Sequence, residues 1–127
     1  MTKLTDAEAG DLRQRLQLIV LRYDRIMAET ETLVLDLRMD GRDDEADLAQ
    51  ARMTEMTALF RDAFRAVNDR LIAPSALAAT RRELETGRRK AKRFVAKLEK
   101  TRLTLDRLQE AFAVLRASVA TLTAALG

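Results

Sequence analysis

LAATRRELETGRRKAKRFVAKLEKTRLTLDRLQEAFAVLRASVATLTAAL, residues 77–126, carries the pattern that decides the fold. Leu77, Leu84, Ala91, Leu98, Leu105, Phe112, Val119 and Leu126 fall seven residues apart, with Thr80, Gly87, Phe94, Thr101, Leu108, Leu115 and Leu122 between them. Alternating steps of three and four place all of these on one helix face, the heptad seam by which helices pack side by side. The seam weakens at Thr80 and Gly87. One Gly inside a helix costs about 1 kcal/mol against Ala, so Gly87 is tolerated, kinks the helix, or splits off a short helix over 76–86.

Working outward, Pro74 stands just before this stretch and biases Ala73 away from helical geometry, which makes Ser75 the expected N-cap. Farther back, Gly41 fits the left-handed position that ends a helix, and Thr5 with Glu8 fits a capping box that starts one. Between those two points Leu12, Leu16, Ile19, Tyr23, Ile26, Thr30, Leu33 and Leu37 repeat the three-and-four step, widened by Val20, Met27 and Val34. Asp43 or Asp44 can cap the next helix, whose seam of Met53, Met56, Phe60, Ala63 and Val67 is looser and more compliant. The expected fold is therefore all-α. It is an antiparallel bundle of three long helices over approximately 5–40, 44–72 and 75–126, or four if the last breaks at Gly87. Coiled-coil-like heptad packing is expected throughout one domain, 1–127.

Composition agrees, since 73 of the 127 residues are Ala, Leu, Arg, Glu or Lys, with four Gly and one Pro left for turns. Cys and His are both absent, which excludes thiolate nucleophiles, cysteine metal sites, imidazole bases and Glu-x-x-His di-iron ligands. Arg outnumbers Lys 18 to 5 beside abundant Ala, a usage that suits a GC-rich bacterial or phage genome. No secretory h-region opens the sequence and no run approaches the roughly 20 apolar residues of a membrane span, so a cytoplasmic protein is expected.

Length bears on assembly. At 1.5 Å per residue the three segments measure roughly 50, 43 and 75 Å, so the last outruns its partners. In an up-down-up arrangement the Gly41 turn falls near residues 98–104, and everything from about 105 onward projects. From 111 to 127 the only charged side chain is Arg116, and a projecting helix of that composition would leave its apolar stripe in water. The expectation is an oligomerisation segment at about 105–126, joining two copies through Leu105, Leu108, Phe112, Leu115, Val119 and Leu122.

Charge is divided as unevenly as length. Residues 1–74 carry a net −4 and residues 75–127 a net +7. At 100° per residue, Arg82, Arg89, Arg93, Lys97 and Lys100 fall within about 80° of one another, opposite the Leu84/Ala91/Leu98 seam. They form a stripe roughly 27 Å long, able to follow a phosphate backbone or simply to solvate a helix face. Asp36, Asp40, Asp43, Asp44, Glu45 and Asp47 crowd the first turn, but their spacing matches no EF-hand loop. Helix capping, or pairing with Lys97, Lys100 and Arg102, accounts for them without a metal.

Some all-helical catalysts work with Arg, Lys and carboxylates alone, and the carboxylate-rich class among them needs paired Glu-x-x-Glu/Asp motifs within paired helices. Here Asp40-x-x-Asp43 and Asp44-x-x-Asp47 lie at a turn, and Tyr23 reads as a bundle residue with its hydroxyl at the edge. The C-terminal AFAVLRASVATLTAALG admits a lipid-surface helix, although its polar side, Ser118, Thr121 and Thr123, carries almost no charge. The sequence thus favours a non-enzymatic scaffold or adaptor without cofactor or metal, acting through homo-oligomerisation, a dimer first, and contact with a protein partner. The alternative is a nucleic-acid or other polyanion-binding accessory protein that uses the basic face of residues 81–102.

Overall fold

A computed structural model describes residues 2–68, 71–72 and 74–125; residues 2, 3, 68, 71, 72, 74, 75, 123 and 125 are described by their backbone. Four helices result: α1 (Asp6–Met39), α2 (Asp43–Asn68), α3 (Pro74–Leu98) and α4 (Leu105–Ala125). Two-residue strands β1 (Thr2–Lys3) and β2 (Leu71–Ile72) pair antiparallel, so the chain start is tied to the α2–α3 connection. Among the described residues no helix is long and apolar enough to cross a membrane.

The first helix starts and stops on local chemistry. Thr5 Oγ1 accepts from Glu8 N at 3.1 Å and Thr5 N donates to Glu8 Oε1 at 2.9 Å, which closes the capping box. At the other end Gly41 takes φ 73°, its N–H reaches the Arg38 carbonyl, and Arg42 N–H reaches that of Leu37. This paired closure satisfies two of the last carbonyls, and the positive φ is open to Gly without steric cost. The second helix begins at Asp43, so Asp43, Asp44 and Glu45 form its first turn and favour its positive end. The expected side-chain cap from Asp43 or Asp44 is replaced by this placement inside the helix. α2 ends at Asn68, short of the expected 72, because residues 71–72 pair with β1. Pro74 opens α3 as its first residue, where a missing N–H removes no intrahelical bond, and Ser75 lies inside the helix instead of capping it. Ala73 and Leu126 lie outside the described residues.

The third long helix is corrected to two. α3 passes through Gly87 without a break, and the chain turns over residues 99–104 instead. Lys100 N–H and Thr101 N–H both bond the Lys97 carbonyl, and the Thr101 hydroxyl donates to it at 3.0 Å. Thr104 then caps α4, its Oγ1 accepting from Arg107 N at 3.3 Å. Leu103 is buried in the turn.

α4 thereby folds back along α3. It packs on α3 and α2, while α1 packs on α2 and α3, and α1 and α4 face each other across the diagonal. The pairs Asp11–Arg81 and Asp36–Arg102 advance together, so α1 and α3 are parallel. The up-down-up expectation laid the start of the last segment along both earlier helices; α4 takes the place beside α2.

One core runs the length of the bundle. Leu12, Leu16, Ile19, Ile26, Met56, Leu84, Leu108, Leu115 and Leu122 are all at most 1% exposed. Tyr23 is fully buried, not at the edge: its hydroxyl donates to the Ala111 carbonyl, its ring meets Phe60 edge-on at 5.7 Å, and burial pushes its pKa up. Three buried hydroxyls on the seams are satisfied locally: Thr30 on the Ile26 carbonyl, Thr80 on Ala76 and Ser118 on Val114. Arg52 locks α2 to α4, with Nε on Gln109 Oε1 at 2.7 Å and its guanidinium 4.9 Å from the Phe112 ring centroid.

α3 and α4 approach closely at Gly87. A Cβ built there would overlap Ser118 Oγ and stand 3.1 Å from Ser118 Cβ. Gly87→Ala is therefore expected to lower stability by about 1 kcal/mol, the overlap outweighing the gain in helix propensity. In a Ser118→Ala background, which removes the Oγ overlap and keeps the 3.1 Å contact to Cβ, the same change should cost less. Urea unfolding of the four-member cycle reads the difference, and Gly87→Ala stabilising in both backgrounds would contradict the close approach.

Candidate functional site

The two surfaces expected to act fare differently. Of the six side chains expected to join two copies, Leu108, Phe112, Leu115, Val119 and Leu122 are buried at no more than 8% exposure within one chain, and Leu105 is half-buried at the start of α4. That interface requires a projecting helix, and the turn at 99–104 removes the projection. Ser118, assigned to the solvent side of a lipid-surface helix, is buried against Gly87.

The basic face stays outside. Arg82, Arg89, Arg93, Lys97 and Lys100 are all exposed. Because α3 ends at Leu98, Lys100 leaves the helix for the following turn, and the helical part of the stripe, 82–97, is roughly 22 Å long. Other cations of the same helix turn inward. Arg81 Nε bonds Asp11 Oδ2 at 2.8 Å across to α1, and Arg88 makes a two-pronged bond to Glu85, whose pKa is lowered by that bond. Arg89 reaches Glu85 at 3.6 Å. Among the described residues no carboxylate lies within 4 Å of Arg82, Lys90, Lys92, Arg93, Lys97 or Lys100.

The acidic turn does not neutralise this face. Arg38 holds Asp47 at 2.9 Å and Asp43 at 3.9 Å, Arg42 pairs with Glu45, and Arg102 approaches Asp36 at 3.7 Å. Of the three cations expected beside it, Arg102 alone makes such a pair. Among the described residues no group of three or more acids is arranged to hold a metal ion.

Sequence reasoning placed Phe94 on the core side; it is half-buried and lines an open groove of about 420 Å³ between α3 and α4. Ala113 and Val114 complete the apolar floor, Lys90, Arg93 and Lys97 form a cationic rim, and Glu110 is the one acid lining it. This groove was missed because it needs α4 folded beside α3, which an unbroken helix forbids. Compared with known protein families, curated proteins and solved structures, the chain shows no match to any.

Asp11 anchors the inward side of the same helix. Burial raises its pKa, but hydrogen bonds from Arg15 and Arg81 outweigh that and hold the carboxyl below its ordinary value. A depressed folded-state pKa contributes stability that is present above the unfolded value of about 3.9 and lost as pH falls through the folded value. Asp11→Asn should therefore cost about 0.5–1 kcal/mol at pH 7, a modest figure because the pair is partly exposed. It should also make the acid limb of the stability curve shallower below about pH 4. Urea melts from pH 7 to pH 3 on both proteins measure this; parallel acid limbs would contradict the assignment.

Proposed function

We propose that the protein is a non-enzymatic helical-bundle binding module that engages a polyanion, duplex nucleic acid in particular, through the exposed face of α3. The observation that supports this reading is the set Arg82, Arg93 and Lys97, exposed on one rigid helix face without a carboxylate partner among the described residues, with Arg89 between them. An unneutralised row of this kind attracts a regularly spaced anion, and each phosphate it neutralises releases counterions. Such contacts fix position without reading base sequence. Duplex is favoured over single strand because the row carries no exposed aromatic platform on which bases could stack; Phe94 sits low in the groove.

The scaffold reading loses its original support, because the C-terminal seam is committed to the core of its own chain. A fluorescence-anisotropy titration with duplex DNA tests the polyanion reading. Four to five phosphate contacts should give a slope of log K against log salt of roughly −4. Arg89→Glu with Arg93→Glu, both at exposed positions that leave the fold intact, should weaken binding by roughly tenfold or more. No affinity at low salt, or affinity indifferent to the double variant, would overturn it.

A further inference from the structure

We infer that α1 carries a second interaction surface, by which two copies of this chain associate antiparallel; this does not rest on the polyanion reading. Among the described residues the exposed large hydrophobic side chains are Leu18, Leu21, Leu35 and Met39, and all four belong to α1. Each lies two residues beyond a core-facing one, Leu16, Ile19, Leu33 and Leu37, and so about 200° round the helix from the core. Their spacing keeps the three-and-four step through Arg25, Ala28 and Thr32, which are exposed as well. α1 thus bears two heptad seams back to back, and one of them has no covering element.

The charges flanking this outer seam select both the occupant and its direction. One edge reads Arg15, Arg22, Glu29, Asp36, bases first and acids after. In an antiparallel pair that sets Leu18 opposite Leu35 of the second copy, this edge meets itself reversed. Arg15 then faces Asp36 and Arg22 faces Glu29, which two-fold symmetry makes four opposite-charge pairs, those of Arg15 and Asp36 shared with Asp11 and Arg102 of their own chain. The other edge reads Gln17, Asp24, Glu31, Arg38, and sets Asp24 against Glu31 twice, with the seam residue Arg25 beside them. A parallel pair would instead set Asp24 against Glu29 and Glu31 against Asp36, four like-charge pairs with no opposite-charge pair along the helix. Self-complementarity in one direction alone is what a surface built for a second copy requires. Arg22 is free to make its pair, since no carboxylate lies within 4 Å of it among the described residues; Glu29 meets Arg25 of its own helix at 3.2 Å.

The size of the strip sets its strength. Residues 14–39 span roughly 38 Å, and at about 10 Å wide the footprint is near 400 Å² per chain, about half that of a standard stable interface. The association is accordingly weak and concentration-dependent.

Sedimentation equilibrium from low to high micromolar protein tests it. Wild type should pass from monomer to dimer, and Leu21→Glu with Leu35→Glu should remain monomeric with an unchanged helical spectrum. Arg22→Glu should weaken the dimer by about tenfold or more, and adding Glu29→Arg in the same chain should restore it, since an antiparallel pair sets these two positions against each other. A wild-type chain that stays monomeric throughout, or a dimer indifferent to the leucine changes, would overturn the surface. A double charge swap that fails to restore association would overturn the antiparallel pairing.

Discussion

Everything in this bundle follows from the need to keep the apolar stripe of α4 out of water. Leu108, Phe112, Leu115, Val119 and Leu122 each contribute about 1.5–3 kcal/mol when fully buried, far more than one helical turn is worth. A chain that interrupts its helix over residues 99–104 gains that burial. The interruption is cheap because the turn supplies its own partners: Thr101 closes on the Lys97 carbonyl and Thr104 caps the helix that follows.

Folding back then imposes its own demands on residues far away in sequence. Two helices that lie against each other need a place where their backbones can approach, and Gly87 supplies it opposite Ser118. A helix inserted beside α2 must be held there, which Arg52 does through Gln109 and the face of Phe112. Tyr23, at the centre of α1, reaches across the diagonal to the Ala111 carbonyl and ties α1 to α4 where they otherwise scarcely meet. None of these contacts exists in a chain whose last helix runs straight.

The core is filled from within one chain. Two surfaces remain that folding does not explain: the unneutralised cations of α3 and the second apolar seam of α1. They lie on parallel neighbouring helices, and each follows a single helical face. Both were present in the sequence, but the buried seams of the same helices are richer in leucine and masked the outer one. The basic face was legible from Arg82 to Lys97 because the helix is unbroken between them; Lys100 falls beyond the helix end at Leu98, which no Gly or Pro marks. The outer seam of α1 was not legible, because Arg25 and Thr32 interrupt its apolar character.

The sequence by itself determined the helical class, most buried seam positions and most helix ends, although Thr101, placed on the last seam, is exposed in the turn. Those rest on local chemistry, such as the capping box at Thr5 and Glu8 and the positive φ of Gly41. It misplaced the final break because neither Gly nor Pro marks residues 99–104, while Gly87, which looked like a break, is a contact. Thr104 followed by Asp106 is the signal that could have marked the new helix start. Only the tertiary structure decided where α4 lies and hence which seam is core and which is surface. A heptad pattern records that a face must be covered, and the same leucines satisfy it equally well against their own chain or another; the choice is made by a turn whose stability comes from the packing it permits.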